Sequence, residues 1–166
     1  MINSSFLRVL HQLHKHLRID EVNWAVTGSL SFALQGMDVD VHDIDIQTDK
    51  SGAYEIERRF SRYVVRNVEF SSSEKIRSHF GELSIDDIKV EIMGDIQKHL
   101  PDGNWEDPPD ICSNRRFINC GGLSIPVMSL EYEYEAYYHL GRMEKADQVR
   151  RYLEQSRFEG GKRPSG

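Results

Sequence analysis

The chain has 166 residues, of which 39% are hydrophobic and 29% charged, and a formal net charge of −6. This balance predicts a single domain over residues 1–158 with a sizeable core, followed by a disordered tail over 159–166. It excludes a whole-surface attraction to long nucleic acid, which needs clustered Lys and Arg. No apolar run approaches the ~20 residues needed to span a bilayer, and Met1 to Arg18 is too polar and His-rich for a signal peptide. Cys112 and Cys120 are too widely spaced for a C-x-x-C site. A reduced, cytoplasmic protein is the expectation.

In chain order, Phe6, Val9, Leu10, Leu13 and Leu17 follow helical spacing, with Ser4 or Ser5 as the predicted cap. Trp24-Ala25-Val26 reads as a short buried strand. Gly28-Ser29 then opens a helix that ends near Gly36, and Val39 to His42 is loop. Asp43 to Gln47 is a predicted strand, Ser51 to Tyr63 an amphipathic helix, and Val64 to Phe70 another strand. Leu83 and Ile85 alternate up to Asp86-Asp87, and Ile88, Val90 and Ile92 alternate after it. A two-residue turn there pairs Ile85 with Ile88 and Leu83 with Val90, placing the apolar residues on one face. The same register sets Glu82 opposite Glu91 and Ser84 opposite Lys89 on the polar face. Pro101 to Asp110 is loop. Arg116 to Cys120 and Leu123 to Val127 form a hairpin around Gly121-Gly122, Ser129 caps a helix through His139, and Arg142 to Gln155 is the last helix.

The chemistry concentrates in a few polar positions. On a strand, side chains two apart share a face, so Asp43 and Asp45 project together while Ile44 and Ile46 point into the core. No basic residue separates them along the strand. Adjacent carboxylates repel unless a cation lies between them, and Glu91 from another strand completes a hard-oxygen set suited to magnesium. A helix N-terminus at Gly28-Ser29 offers backbone N–H groups and a favourable dipole to phosphate, and Ser29 adds a hydroxyl. Cation site and anion cradle together suit metal-assisted phosphoryl or nucleotidyl transfer.

The remaining polar clusters read more simply. His11, His14 and His16 suit a solvated helix face better than a metal site, and His42 suits a loop without a role. Tyr132, Tyr134, Tyr137 and Tyr138 are either core or a stacking wall. Arg115-Arg116 is an exposed strand pair or a phosphate contact.

Gly28-Ser29, then Asp43-Ile44-Asp45, then Glu91 resembles the signature of the nucleotidyltransferase superfamily with the DNA polymerase beta-type palm, in its small single-domain branch. The resemblance covers roughly residues 22–95. Further on, Ala136-Tyr137-Tyr138 followed by Arg142 to Asp147 is similar to the helix ending with a Lys and an Asp in lincosamide- and aminoglycoside-modifying members. Here Ala146 stands between Lys145 and Asp147, where the family usually has Lys and Asp adjacent.

The resemblance implies an α+β fold: a polymerase beta palm-like mixed sheet flanked by helices, with C-terminal helices. It implies a two-metal mechanism with Mg2+ or Mn2+ held by Asp43, Asp45 and Glu91, and a nucleoside triphosphate, ATP foremost, as substrate. Gly28 and Ser29 would hold the β and γ phosphates, with Lys145 also on the nucleotide side, and Glu91 would take the acceptor's proton. The acceptor would be the hydroxyl of a small molecule or a protein. The alternative is a non-catalytic or antitoxin-type module of the same fold that binds a protein partner; three acids around a metal favour the enzyme.

Overall fold

The computed structural model describes residues 2–160. Its helices are α1 (Ser4–His16), α2 (Gly28–Leu34), α3 (Lys50–Arg59), α4 (Ile111–Asn114), α5 (Leu130–His139) and α6 (Met143–Gly160). Its strands are β1 (Trp24–Thr27), β2 (Ile44–Thr48), β3 (Val64–Ser72), β4 (Ile76–Ile85), β5 (Ile88–Lys98), β6 (Arg115–Cys120) and β7 (Leu123–Met128). All seven strands join one mixed sheet in the order β3-β4-β5-β2-β1-β7-β6. The β2–β5 and β1–β7 pairs are parallel and the other neighbours antiparallel.

The centre of the sheet follows from apolar alternation. Ile44 and Ile46 on β2, with Leu83, Val90 and Ile92 on β4 and β5, are buried against Val9, Leu10 and Leu13 of α1 and Ala53 and Ile56 of α3. Trp24 lies in the same core and donates its indole N–H to the Leu17 carbonyl at 2.7 Å, so its polar edge is satisfied without water. A second cluster of Phe32, Met37, Leu130 and Val149 ties α2 to α5 and α6. No helix among the described residues is long and apolar enough to cross a membrane.

The hairpin register agrees with the sequence reading. Ile85 pairs with Ile88, Leu83 with Val90, Ser84 with Lys89 and Glu82 with Glu91. Asp86 and Asp87 both take positive φ, 50° and 62°, the backbone a primed two-residue turn requires. The β6–β7 hairpin around Gly121-Gly122 and the Ser129 cap of α5 are also present.

Several boundaries differ. Asn3, rather than Ser4 or Ser5, caps α1: its side-chain oxygen accepts from the Ser5 N–H at 3.0 Å. α3 starts one residue earlier than the apolar pattern suggests, capped by Asp49, which accepts from the Gly52 N–H at 2.7 Å. It stops at Arg59, where Phe60 turns into the core, and a 3-10 turn over Ser61–Tyr63 completes the expected helical span. α6 continues past Gln155 to Gly160, because no Gly or Pro interrupts it before that point. Glu159 and Gly160 therefore end a helix; the rest of the expected tail, 161–166, lies outside the described residues.

Candidate active site

The two parallel and antiparallel pairings of β2 assemble the site. Asp45 stands beside Glu91 in the β2–β5 register and beside Thr27 in the β1–β2 register. Asp43 lies just before β2, on the same side. Asp43, Asp45 and Glu91 each present a carboxylate oxygen, all within 4.8 Å of one another. They form the one such group of His, Cys, Asp or Glu among the described residues, and the histidines of α1 do not contribute. Glu82 pairs with Glu91 across the hairpin yet is outside the cluster.

Crowding of like charges sets the electrostatics. Burial, and then the Asp43 and Glu91 carboxylates, push the Asp45 carboxyl well above the usual carboxylate range. One cation reaches the cluster from β5: Lys89 Nζ lies 2.8 Å from Glu91 Oε1 and 3.6 Å from Asp43 Oδ2. The carboxylates, foremost Glu91, hold its ammonium above the ordinary lysine value. The clear stretch between Asp43 and Asp45 along β2 is thus answered by a lysine from the neighbouring strand, which the sequence reading placed only as the partner of Ser84.

The Gly28-Ser29 corner is built around this cluster. Gly28 has φ +72°, and a Cβ at that position would lie 2.5 Å from Asp45 Oδ2. Its N–H was expected to face phosphate, but it donates to Glu133 Oε1 at 3.1 Å. Thr27 Oγ1 donates to the same oxygen at 2.5 Å and accepts from Gln47 Nε2 at 3.4 Å. Tyr132 closes the chain by donating to Gln47 Oε1 at 3.1 Å. Glu133 is 3% exposed, and burial lifts its carboxyl to about 7 against the opposing pull of those two hydrogen bonds. It went unnoticed in the sequence because its one signal is helical spacing: Leu130, Glu133 and Tyr137 share a face of α5.

Two clefts meet at the carboxylates. The larger, about 600 Å³, is lined by Ser29, Asp38, His42, Asp43, Lys145 and Gln148, among others. The smaller, about 200 Å³, is lined by Gln47, Lys98, Tyr132, Glu133 and a set of apolar side chains. Gly28, Asp45, Glu91, Tyr137 and Arg142 border both. Lys145 therefore reaches the larger cleft with Ser29, its Nζ 5.5 Å from the centre of the Tyr137 ring. Among the tyrosines, Tyr132 and Tyr137 line the site and burial raises both phenols. Tyr134 packs against the second core cluster, and Tyr138 is exposed. Arg115, at the start of the edge strand β6, lines neither cleft and donates to Asn23 Oδ1 at 2.9 Å.

Comparison with known proteins gives relatives of this fold. A candidate nucleotidyltransferase from Thermotoga maritima, whose crystal structure is known, is 62% identical, with 93% of this chain and 96% of that one covered, at a TM-score of 0.83. The lincosamide antibiotic adenylyltransferase LnuA, solved with lincomycin, shares the fold at 15% identity and a TM-score of 0.54, over 90% of this chain and 97% of that one. ANT(2'')-Ia, solved with adenylyl-2''-tobramycin, shares it at 11% identity and a TM-score of 0.61, over 93% of each chain. A comparison with curated protein sequences gives no match. The model of the aminoglycoside-2''-adenylyltransferase family matches residues 9–152, a span that holds the Gly-Ser corner, all three carboxylates and both clefts. The chain belongs to that family, within the nucleotidyltransferases.

Proposed function

We propose that this protein is a metal-dependent enzyme that transfers a nucleoside monophosphate from a nucleoside triphosphate, ATP foremost, to a hydroxyl group and releases pyrophosphate. The observation that carries the reading is the convergence of Asp43, Asp45 and Glu91 within 4.8 Å beside the Gly28 corner. The donor set suits a hard dication: three carboxylates at ion-sharing distance, with the Asp45 carboxyl raised first by burial and then by a crowding of like charge that a dication relieves. When bound there, magnesium supplies neutralising charge at the phosphates and acidifies an acceptor hydroxyl.

The chain's own groups divide the remaining work. Asp43 and Asp45 hold the ion that accompanies the nucleotide, and Glu91 completes the set on the acceptor side. Ser29, Arg142 and Lys145 line the larger, more polar cleft and receive the triphosphate. The acceptor enters through the smaller cleft, where Glu91 also stands. As its oxygen bonds to the α phosphorus, the bond from that phosphorus to pyrophosphate breaks, and the hydroxyl proton passes to Glu91. The family's adenylyl transfer and the antibiotic ligands of the fold relatives support ATP and a small-molecule acceptor over a protein. A pure partner-binding module has no need for three converging acids.

The test is a nucleotide screen: incubation with labelled ATP, GTP, CTP and UTP, magnesium and candidate acceptors, with pyrophosphate release as the readout. Calorimetry of the magnesium–nucleotide complex on the wild type and on the double variant Asp43→Asn, Asp45→Asn accompanies it. Equal affinity in both proteins removes these residues from the site and the reading with them.

A further inference from the structure

We infer that Arg142 is a catalytic residue whose guanidinium contacts the phosphoryl group being transferred, while Lys145 holds the phosphates that leave; the inference rests on the transferase reading above. That reading places the triphosphate in the larger cleft and the acceptor in the smaller one. The acceptor oxygen bonds to the α phosphorus as the bond to pyrophosphate breaks. The electron pair of that bond leaves with pyrophosphate, and the hydroxyl proton passes to Glu91. The α phosphorus must therefore lie where the two clefts meet. Gly28, Asp45, Glu91, Tyr137 and Arg142 border both clefts, and Arg142 is the one cation among them. Lys145 borders the larger cleft alone. Lys98 borders the smaller cleft alone, and Glu106 Oε1 already engages its ammonium at 2.7 Å.

The backbone pins Arg142 at this junction. α5 ends in a double cap: the Gly141 N–H donates to the Tyr138 carbonyl at 3.1 Å, and the Arg142 N–H to the Tyr137 carbonyl at 2.9 Å. Gly141 takes the positive φ, 74°, that this helix ending calls for. On its other side, the Arg142 carbonyl accepts from the Ala146 N–H at 3.0 Å, in the first turn of α6. Ala146 and Val149 are buried, so α6 itself is anchored. The Arg142 backbone is thus fixed between two packed helices. Its side chain is exposed and makes no ion pair among the described residues. The chemistry needs such a group there. Asp45 and Glu91 repel the negative α-phosphoryl from one side, and a planar guanidinium can bridge two of its oxygens from the other. A donor fixed in advance where charge develops stabilises the transfer without having to reorganise.

The experiment reads the phosphates directly and needs no acceptor. The full chain is titrated with magnesium and α,β-methylene-ATP, whose α–β bridge does not break, and followed by calorimetry and by phosphorus NMR of the bound ligand. Wild type, Arg142→Ala and Lys145→Ala are compared. Arg142→Ala is expected to shift the bound α signal, leave the γ signal in place and weaken binding about tenfold, the loss of one charge-assisted contact. Lys145→Ala is expected to shift the β and γ signals and leave the α signal in place. Arg142→Gln repeats the first measurement with a neutral side chain of similar reach should the alanine variant not fold; its backbone caps are unchanged. An α signal that stays at its wild-type position in the folded Arg142 variant overturns the inference. So does a shift confined to β and γ, which would place Arg142 on the leaving group. An α shift of equal size in Lys145→Ala also overturns it. Failure of the wild type to bind the magnesium–nucleotide complex is a different outcome: it sinks the transferase reading, and the role of Arg142 falls with it.

Discussion

Gly28 and Asp45 are in such close contact that the smallest side chain does not fit between them: a Cβ on Gly28 would lie 2.5 Å from Asp45 Oδ2. Gly28 also holds φ at +72°, where an L-residue is disfavoured by roughly 1–2 kcal/mol. Gly28→Ala is therefore expected to displace the Asp45 carboxylate rather than merely strain the turn. Calorimetry should show magnesium–nucleotide affinity reduced by about tenfold or more, the equivalent of ~1.4 kcal/mol. Unchanged affinity would mean that the β1–α2 corner does not set the position of Asp45.

Glu133 fastens the same corner from α5. Glu133→Gln keeps an oxygen that can accept from both Thr27 and Gly28, and should retain most stability. Glu133→Leu leaves a buried hydroxyl and a buried N–H without an acceptor, at a cost of ~1–3 kcal/mol each. Thermal melts of the two variants should differ by several degrees, with leucine the lower. Identical melts would show that Glu133 is not what holds α5 to the site.

Glu91 and Glu82 face each other across the β4–β5 hairpin, but only Glu91 joins the cluster. Glu91→Gln should lower turnover by about a hundredfold or more, as expected for loss of a general base, while nucleotide binding largely survives. Glu82→Gln should stay near wild type. The reverse pattern would reassign the third carboxylate; full activity in both would leave metal catalysis without support.

Lys89 competes with any incoming cation, since its ammonium already contacts Glu91 and Asp43. Lys89→Met should therefore tighten magnesium binding severalfold in the absence of nucleotide. At 48% side-chain exposure the lysine is well screened, so the effect should shrink further as ionic strength rises. Weaker magnesium binding in the variant would instead make Lys89 a partner of the site.

The raised Asp45 carboxyl gives a pH dependence of definite sign. Its folded-state pKa exceeds the unfolded value of about 4, so the folded protein holds the proton more tightly. Its contribution to stability is complete below that unfolded value and is lost as pH rises through the higher folded one. The metal-free melting temperature should fall across this window, and Asp45→Asn should flatten the decline. Magnesium binding near neutral pH should release a proton, measurable by calorimetry in buffers of different ionisation enthalpy.

Much of this site was legible from residues alone. The alternation of Leu83, Ile85, Ile88, Val90 and Ile92 around Asp86-Asp87 set the hairpin register, because a slip of one residue would expose the whole apolar face. That register sent Glu91 to the polar side, and the period of the strand put Asp43 and Asp45 together. Such patterns are local: they need only the strand repeat and a turn. What sequence could not supply were the meetings of distant segments. Glu133 reaches Thr27 and Gly28 from more than a hundred residues away, and neither partner marks the other in the chain. Lys89 shares a face of β5 with Glu91, as the strand period implies, but only the parallel pairing of β2 with β5 set it against Asp43 as well. Likewise, the two clefts exist only because α5 and α6 fold back over the carboxylate strands. Periodicity encodes which face a residue takes, whereas the partner on that face is chosen by how the apolar surfaces of separate elements close on one another.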